Sequence, residues 1–237
     1  MIPFERQEKL LQILKEKKSA SIKVLSQLLY ISEASVRRDV ELLEQRGYVK
    51  RVYGGVMLAC YQNTVVPLEL RDNDHSVVKE ELARRAAQLI HDGDTILLDG
   101  SSTVRRIVKY IGGKRNLKII TNNLRIFTEC NSSEVQLYCT GGTFLSQNHI
   151  FIGPSTIDYL QGISANLLFF SSQGIDNEGV ISDISEEETA IRRAMLSRAE
   201  RKYFLCDASK IGIRKTFTLC RSEELNGVIC DAHLPWE

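Results

Sequence analysis

Residues 21–55, SIKVLSQLLYISEASVRRDVELLEQRGYVKRVYGG, decide how the chain is read. Apolar residues recur at helical spacing, first Val24, Leu25, Leu28 and Leu29, then Val36, Val40 and Leu43. Ile31-Ser32-Glu33 separates the two runs. Ser32 suits an N-cap, because its hydroxyl can accept from a free backbone N–H of the next helix, and Glu33 in the first turn suits the helix dipole. Arg37 and Arg38 follow one turn inside the second helix, read as 33–46, and Gly47 supplies the left-handed residue that closes it. Tyr48 to Tyr53 alternates as a strand does, and Gly54-Gly55 permits a tight return. Two short helices with arginines on the second are the layout of a helix-turn-helix, whose second helix enters the DNA major groove. The ribbon reads as a wing, with Lys50 and Arg51 placed to reach phosphate. A plain three-helix bundle with a solvated charged face is the competing reading.

The remaining sequence bounds the class. The chain has 237 residues, 43% hydrophobic and 26% charged, which is enough for a small domain plus a medium α/β one. Its net charge is +1, but residues 1–60 carry 11 Lys/Arg against 7 Asp/Glu, leaving an acidic remainder. That asymmetry is expected when only one end meets nucleic acid. The six cysteines (Cys60, Cys130, Cys139, Cys206, Cys220 and Cys230) form no Cys-x-x-Cys pair and have no histidine at ligand spacing. They read as reduced and structural, and neither a metal site nor a cofactor is expected. No apolar run approaches the roughly 20 residues that span a bilayer. The N-terminus lacks the apolar core of a signal peptide. The expected location is the cytoplasm.

Upstream, Phe4–Lys17 forms an amphipathic helix on Leu10, Leu11 and Leu14, and residues 19–23 connect it onward as a short stretch able to pair with the ribbon. Downstream, residues 57–76 read as a linker partly packed through Val65, Val66 and Leu68 around Pro67. From Val77 helices alternate with apolar strands. Helices are expected at 77–90, 103–110, 124–130, 156–161 and 185–200. Strands are expected at 95–98, 117–120, 135–139, 167–170, 203–206 and 225–231. Repeated β-α units imply a mainly parallel sheet covered by helices. The domains are therefore 1–57 for DNA binding, 58–75 as linker and 76–237 as an effector domain.

Ligands of open parallel sheets bind beyond the carboxyl ends of the strands. The small polar clusters fall there: Asp99-Gly100-Ser101-Ser102-Thr103, Thr121-Asn122, Gly141-Gly142, Gly174, and Asp207 with Lys210. Backbone N–H groups and hydroxyls after Gly100 suit a phosphate. Lys210 brings a mobile cation, and Asp99, Asn122 and Asp207 suit sugar hydroxyls. Each cluster alone is an ordinary turn; five on one sheet edge suggest a small phosphorylated polyol. Of Glu186-Glu187-Glu188, a charge cluster at a helix start, only Glu188 is a candidate, and Asp176 joins Asp99 and Glu188 as a possible carboxylate base.

These motifs carry a resemblance. Glu5-Arg6, Ser32-Glu33-Ala34-Ser35-Val36-Arg37-Arg38-Asp39, Leu43-Glu44-Gln45-Arg46-Gly47 and Arg51-Val52-Tyr53-Gly54-Gly55 resemble the N-terminal winged helix of the DeoR family of bacterial transcriptional regulators. Ser35 stands where Thr is usual, and Tyr53 where His is common. Leu98 to Thr103, Thr121-Asn122, Gly141-Gly142, Gly174-Ile175-Asp176, Glu188 and Asp207-Ala208-Ser209-Lys210-Ile211-Gly212 resemble its effector domain, which is similar to ribose-5-phosphate isomerase. Ser101 replaces a frequent Gly. The resemblance implies a non-enzymatic repressor of a sugar-metabolism operon that binds double-stranded operator DNA as a homodimer or homotetramer and responds to a phosphorylated sugar. It implies DNA contacts from Ser32, Ser35, Arg37, Arg38, Lys50, Arg51, Gly54 and Gly55. It also implies effector contacts from the sheet-edge residues above, Asp176 and Glu188 included. One alternative is a sugar-phosphate isomerase with an accessory N-terminal helical domain. Another is a winged helix that docks a protein partner.

Overall fold

The computed structural model describes residues 3–45, 47–58, 71, 72 and 74–236, which form two compact units, 1–70 and 71–237. Arg46, Cys60 and the linker residues Val65, Val66, Pro67 and Leu68 lie outside the described residues.

In the first unit, α1 (Pro3–Lys17), β1 (Ser19–Ala20), α2 (Ile22–Leu29), α3 (Glu33–Gln45), β2 (Val49–Val52) and β3 (Gly55–Leu58) follow in order. Leu10, Leu14, Leu25, Val36, Val40 and Leu43 close one core, while Val24 and Leu28 stay exposed on the outer face of α2. Ser32 accepts from the Ser35 N–H at 3.2 Å, as its position before the helix suggests. At the other end, Gly47 (φ 76) donates to the Glu44 carbonyl and Tyr48 to that of Leu43, a paired closure that needs the left-handed residue. β3 pairs antiparallel with β2 and with β1, so Met57 and Leu58 complete the wing and do not begin a linker.

The two wing glycines serve different needs. Gly54 takes φ 87 at the turn, and Gly55 leaves no room for a side chain, since a Cβ there would sit 2.7 Å from the Ala20 carbonyl oxygen. α1 is tied to α3 by Arg6, which grips both oxygens of the buried Asp39 carboxylate, its Nη2 donating to Oδ1 at 2.9 Å. Asp39→Asn should therefore lower stability by about 2 kcal/mol, because it leaves the guanidinium facing a neutral amide. A urea melt of the full chain should show the midpoint drop, with α1 releasing first in hydrogen exchange.

The second unit contains α4 (Ser76–Ala87), β4 (Thr95–Leu98), a 3-10 helix (Val104–Tyr110), β5 (Leu117–Thr121), α5 (Leu124–Glu129), β6 (Val135–Cys139), β7 (Thr143–Leu145), β8 (Ile150–Ile152), α6 (Pro154–Gln161), β9 (Ala165–Phe170), β10 (Gly174–Ile175), β11 (Val180–Asp183), α7 (Glu186–Leu196), β12 (Ala199–Cys206), β13 (Phe217–Arg221) and β14 (Gly227–Cys230). The central sheet has six strands in the order β14-β12-β9-β4-β5-β6, all parallel. Its strands are apolar on both faces. Ile96, Leu98, Ile119, Phe169 and Leu205 enter a core under α4, the 3-10 helix and α5. Leu97, Ile120, Leu168, Phe170 and Phe204 enter a second core under α6, α7 and a small antiparallel sheet β10-β11-β13. This is the period-2 alternation of a strand buried on both sides.

Three sequence expectations are corrected. The segment after Thr103, Val104–Tyr110, is a 3-10 helix, whose three-residue repeat puts Val104 and Ile107 on one buried face. The helix expected to reach Glu200 stops at Leu196. Ala199–Lys202 instead pairs with β9 from Ala165 onward, and the ladder overrides the helical propensity of Ala-Glu-Arg-Lys. Gly174, read as part of a turn, instead opens strand β10, and the hairpin β7–β8 and strands β11 and β13 lie where no element was read; all are two to five residues long.

Candidate functional site

The basic residues singled out for DNA contact in the first unit are all exposed. Arg37 and Arg38 project from α3, while Lys50 and Arg51 project from β2. Arg37 donates to Glu33 one turn back at 2.8 Å. Arg51 is held to α3 by Glu44, through its backbone N–H at 2.9 Å and its Nε at 3.2 Å. Arg38 and Lys50 have no ion pair among the described residues, so their charge is fully available to a polyanion. Ser32 and Ser35 share a hydroxyl contact of 3.0 Å at the helix start. A cleft of about 390 Å³ runs between the start of α2, Arg37 and the wing, lined by Ser21, Lys23, Arg51, Gly54 and Gly55. Tyr53 stands fully exposed at the tip of the wing.

In the second unit the strand order reverses between β4 and β9, which opens a crevice beyond Leu98 and Phe170. Arg192 of α7 lies at its base, buried, with three carboxylates around it. Its Nε donates to Asp99 at 2.7 Å, Nη1 to Asp183 at 3.0 Å and Nη2 to Glu188 at 2.8 Å. Burial works to lower the Arg192 pKa, but Asp183, Asp99 and Glu188 outweigh it and raise it above the ordinary value. The excess negative charge is held by polar hydrogens. Asp99 accepts from the Ser101 and Ser171 N–H groups, Asp183 from those of Ile184 and Ser185, and Glu188 from the Asn148 amide at 2.9 Å. Glu188 faces inward while Glu186 and Glu187 face solvent. Ser185 positions it by capping α7 on the Glu188 N–H.

Beside this network sits a cluster of cations. Lys210 Nζ donates to the Ser171 hydroxyl at 2.8 Å, and burial lowers its pKa against the pull of Asp207. Lys79 of α4 is buried and donates to the Arg71 carbonyl. Burial, reinforced by the nearby charges of Lys210 and Arg106, brings Lys79 down to about 8 despite Asp207 and Asp74. Arg71 also neighbours Lys210, and its Nε and Nη2 are buried with no hydrogen-bond partner. Burial pushes the Asp207 carboxyl up, but Lys210, the Ser209 hydroxyl, His75 and Lys79 together hold it below the usual range. Two amide oxygens, Asn122 Oδ1 and Asn148 Oδ1, are buried without a donor. Unmet buried donors and acceptors at one sheet edge are groups that a polar ligand would satisfy.

Of the residues singled out in the sequence, Asp99, Gly100, Asn122 and Glu188 meet around Arg192, packed so closely that no space for a water-sized group remains among them. Asp207 and Lys210 join them through Ser171. Gly100 is required by packing, since a Cβ would meet Ile150 at 2.6 Å. Ser101 accepts from the Val104 N–H, Thr121 from the Asn123 N–H, and Ser102 and Thr103 are buried with their carbonyls holding Arg106. Gly141 accepts from Thr156 through its carbonyl, and Gly142 takes φ 115 against Thr156. Gly174 packs on Ile213 and Asp176 binds the Val180 N–H and Arg214, which places both on the small sheet. Sequence reading missed Arg71, Lys79, Ser171, Asp183 and Arg192. Only Arg192 had a signal: with Glu188 it forms an i,i+4 pair on an otherwise apolar helix face.

Residues 6–60 match the DeoR-like helix-turn-helix domain and residues 74–232 the DeoR C terminal sensor domain. The chain is 29% identical to the HTH-type transcriptional regulator GolR of Listeria innocua, covering 98% of this chain and 91% of the relative. An uncharacterized HTH-type transcriptional regulator of Haemophilus influenzae is 30% identical, over 99% and 92%. The lactose phosphotransferase system repressor of Staphylococcus epidermidis is 29% identical, over 98% and 93%. Among solved structures, a D-ribose-5-phosphate isomerase in complex with phospho-erythronic acid aligns at TM-score 0.43 and 13% identity, over 57% of this chain and 54% of that one. With a sensor domain spanning more than half of its length behind a winged helix, the chain belongs to the DeoR family of DNA-binding transcriptional regulators.

Proposed function

We propose that the chain is an operator-binding repressor of a sugar-metabolism operon, whose affinity for DNA changes when a phosphorylated sugar binds beyond the β4–β9 crevice. In this reading residues 1–57 contact DNA through Ser32, Ser35, Arg37, Arg38, Lys50, Arg51, Gly54 and Gly55, and 76–237 sense the sugar. One observation carries it: Arg71, Lys79 and Lys210 are gathered in a partly dry site, with two guanidinium nitrogens unpartnered and the Lys79 ammonium held near its neutralisation point. Like charges brought together against desolvation stabilise nothing by themselves, and an anion relieves all three. The Asn122 and Asn148 oxygens would accept from hydroxyls of the same ligand. The likeness to the lactose phosphotransferase system repressor of Staphylococcus epidermidis, and to a putative aga operon transcriptional repressor of Escherichia coli, supports the sugar assignment.

The isomerase alternative needs a carboxylate free to take a proton. Asp99, Asp183 and Glu188 are each bound to Arg192 and to further donors, which favours a sensor over an enzyme. Thermal-shift screening tests the assignment. Phosphorylated sugars in saturating excess should raise the melting temperature, and their dephosphorylated parents should not. A flat response across pentose and hexose phosphates would remove the sensor reading, and turnover of any of them would restore the enzyme.

At the other end, Arg38→Ala should weaken operator binding by roughly tenfold to a hundredfold. If Arg38 meets phosphate, the loss will be uniform across sequences and the salt slope will fall by about one; if it meets a base, specificity at one position relaxes. Fluorescence anisotropy on the promoter beside its own gene measures both. A dimer or tetramer would match the symmetry of operator half-sites.

A further inference from the structure

Five cysteines are free among the described residues, and two of them face each other. Cys206 ends β12 and Cys230 ends β14, and the two are directly opposite in the parallel register. Both side chains enter the same core on the same face of the sheet. Neighbouring strands lie about 4.8 Å apart, inside the Cα separation that a disulfide spans. Cys230 Sγ itself lies 3.8 Å from Asp231 Oδ1. The neighbouring Cys206 thiol brings Cys230 down to about 7 against burial and the Asp231 charge, with the Ala232 and Asp231 backbone N–H groups adding to it. The same contact and burial push Cys206 well up. Their reactivities are thus divided. Cys230 is the accessible thiol, on the edge strand and 8% exposed; Cys206 lies on the inner strand beside it, fully buried.

The consequence lies in the loops that follow. Cys206 immediately precedes Asp207-Ala208-Ser209-Lys210, and Cys230 precedes Asp231, whose carboxylate accepts from the Ala208 N–H at 2.7 Å. We propose that Cys206 and Cys230 form a thiol-oxidation site for a small hydroperoxide, closing a reversible disulfide that pins the end of β12 to β14 beneath the Lys210 loop. The Cys230 thiolate attacks the peroxide oxygen, an S–O bond forms as the O–O bond breaks, and the leaving hydroxide takes a proton to become water. The Cys206 thiol then attacks the sulfenic sulfur, the S–S bond forms, and water leaves with the Cys206 proton. Two thiols and one hydrogen peroxide give one disulfide and two waters. Thiol–disulfide exchange with an external thiol would reopen the bridge.

Peptide mapping without reductant, on the full chain treated with equimolar hydrogen peroxide, tests this. The expected product is a Cys206–Cys230 cross-linked peptide that dithiothreitol dissolves, in clear excess over any product at the half-buried Cys130 and Cys139. Cys206→Ser should instead accumulate a sulfenic acid on Cys230 that dimedone traps, and Cys230→Ser should leave Cys206 unmodified. In the untreated wild type, iodoacetamide at pH 7 should label Cys230 at least about tenfold faster than Cys220, whose thiol burial pushes up to about 12. Oxidation confined to Cys130 or Cys139, with no bridged peptide, overturns the proposal. The wild-type map decides this even if a serine variant folds poorly.

Discussion

Replacing Arg192 with methionine should cost the second unit about 3–5 kcal/mol, the largest stability loss expected of a single substitution here. Methionine matches the length and volume of the arginine stem, so the change is chiefly electrostatic. It leaves Asp99, Asp183 and Glu188 buried beside one another with no cation between them. Arginine is required for its fork: three of its nitrogens reach three carboxylates, one just after β4, one on β11 and one on α7, a spread that the single nitrogen of a lysine does not match. Arg192→Lys should recover only part of the loss. Because the two units have separate cores, the melt of the variant should become biphasic, with the winged helix retaining its own transition. A single unshifted transition in calorimetry would mean that these contacts contribute little net stability.

Replacing Lys79 with methionine is expected to act in the opposite direction on stability and to weaken effector binding. The Lys79 ammonium is charged in both folded and unfolded chains below pH 8, so the full cost of burying it is present there. Between pH 8 and its ordinary 10.5 the folded chain releases the proton first, and stability rises with pH, by about 3 kcal/mol at most. Above that window both forms are neutral. At pH 7 Lys79→Met should therefore raise the melting temperature, and the gain should vanish toward pH 10. The same substitution should weaken binding of a phosphorylated sugar by about 10- to 100-fold, the worth of a charge-assisted hydrogen bond. In the wild type, affinity for the anion should fall as pH rises through 8. Calorimetric titrations at pH 7 and pH 9 separate these trends. Opposite slopes for stability and affinity are expected; parallel slopes would show that Lys79 does not meet the ligand.

Such a trade between stability and binding is what a functional site shows when its residues are not chosen for packing. Lys79 illustrates what the sequence conceals. It lies one turn into an amphipathic helix, Ser76–Ala87, where a lysine is ordinary, and only the closing of the sheet edge buries it beside Lys210. Arg71 is equally silent, at the end of a stretch without periodicity. By contrast, the helix-turn-helix was legible because each of its signals is local: Ser32 caps its own helix, Gly47 ends it, and Gly54-Gly55 turns the wing. The central strands were legible because burial on both faces demands continuous apolar runs. The small sheet β10-β11-β13 was not, because its strands are short and β13 joins β11 across a long separation in sequence. Asp99 was recognised as a site residue for its place after β4; its partner Arg192 is 93 residues away, a pairing that only the fold makes.

An anion at Lys210 must be linked to DNA at Arg38, in units whose connecting residues 59–70 lie outside the described residues. Titrating the operator complex with a phosphorylated sugar that raises the melting temperature, and following anisotropy, measures that link directly. The wild type should change its operator affinity by about 5- to 150-fold, the usual range of allosteric coupling. The dephosphorylated sugar should have no effect. Lys210→Met should bind operator as the wild type does and lose the response. An operator affinity unmoved by a sugar phosphate that demonstrably binds, or a response that survives unchanged in Lys210→Met, would contradict the account.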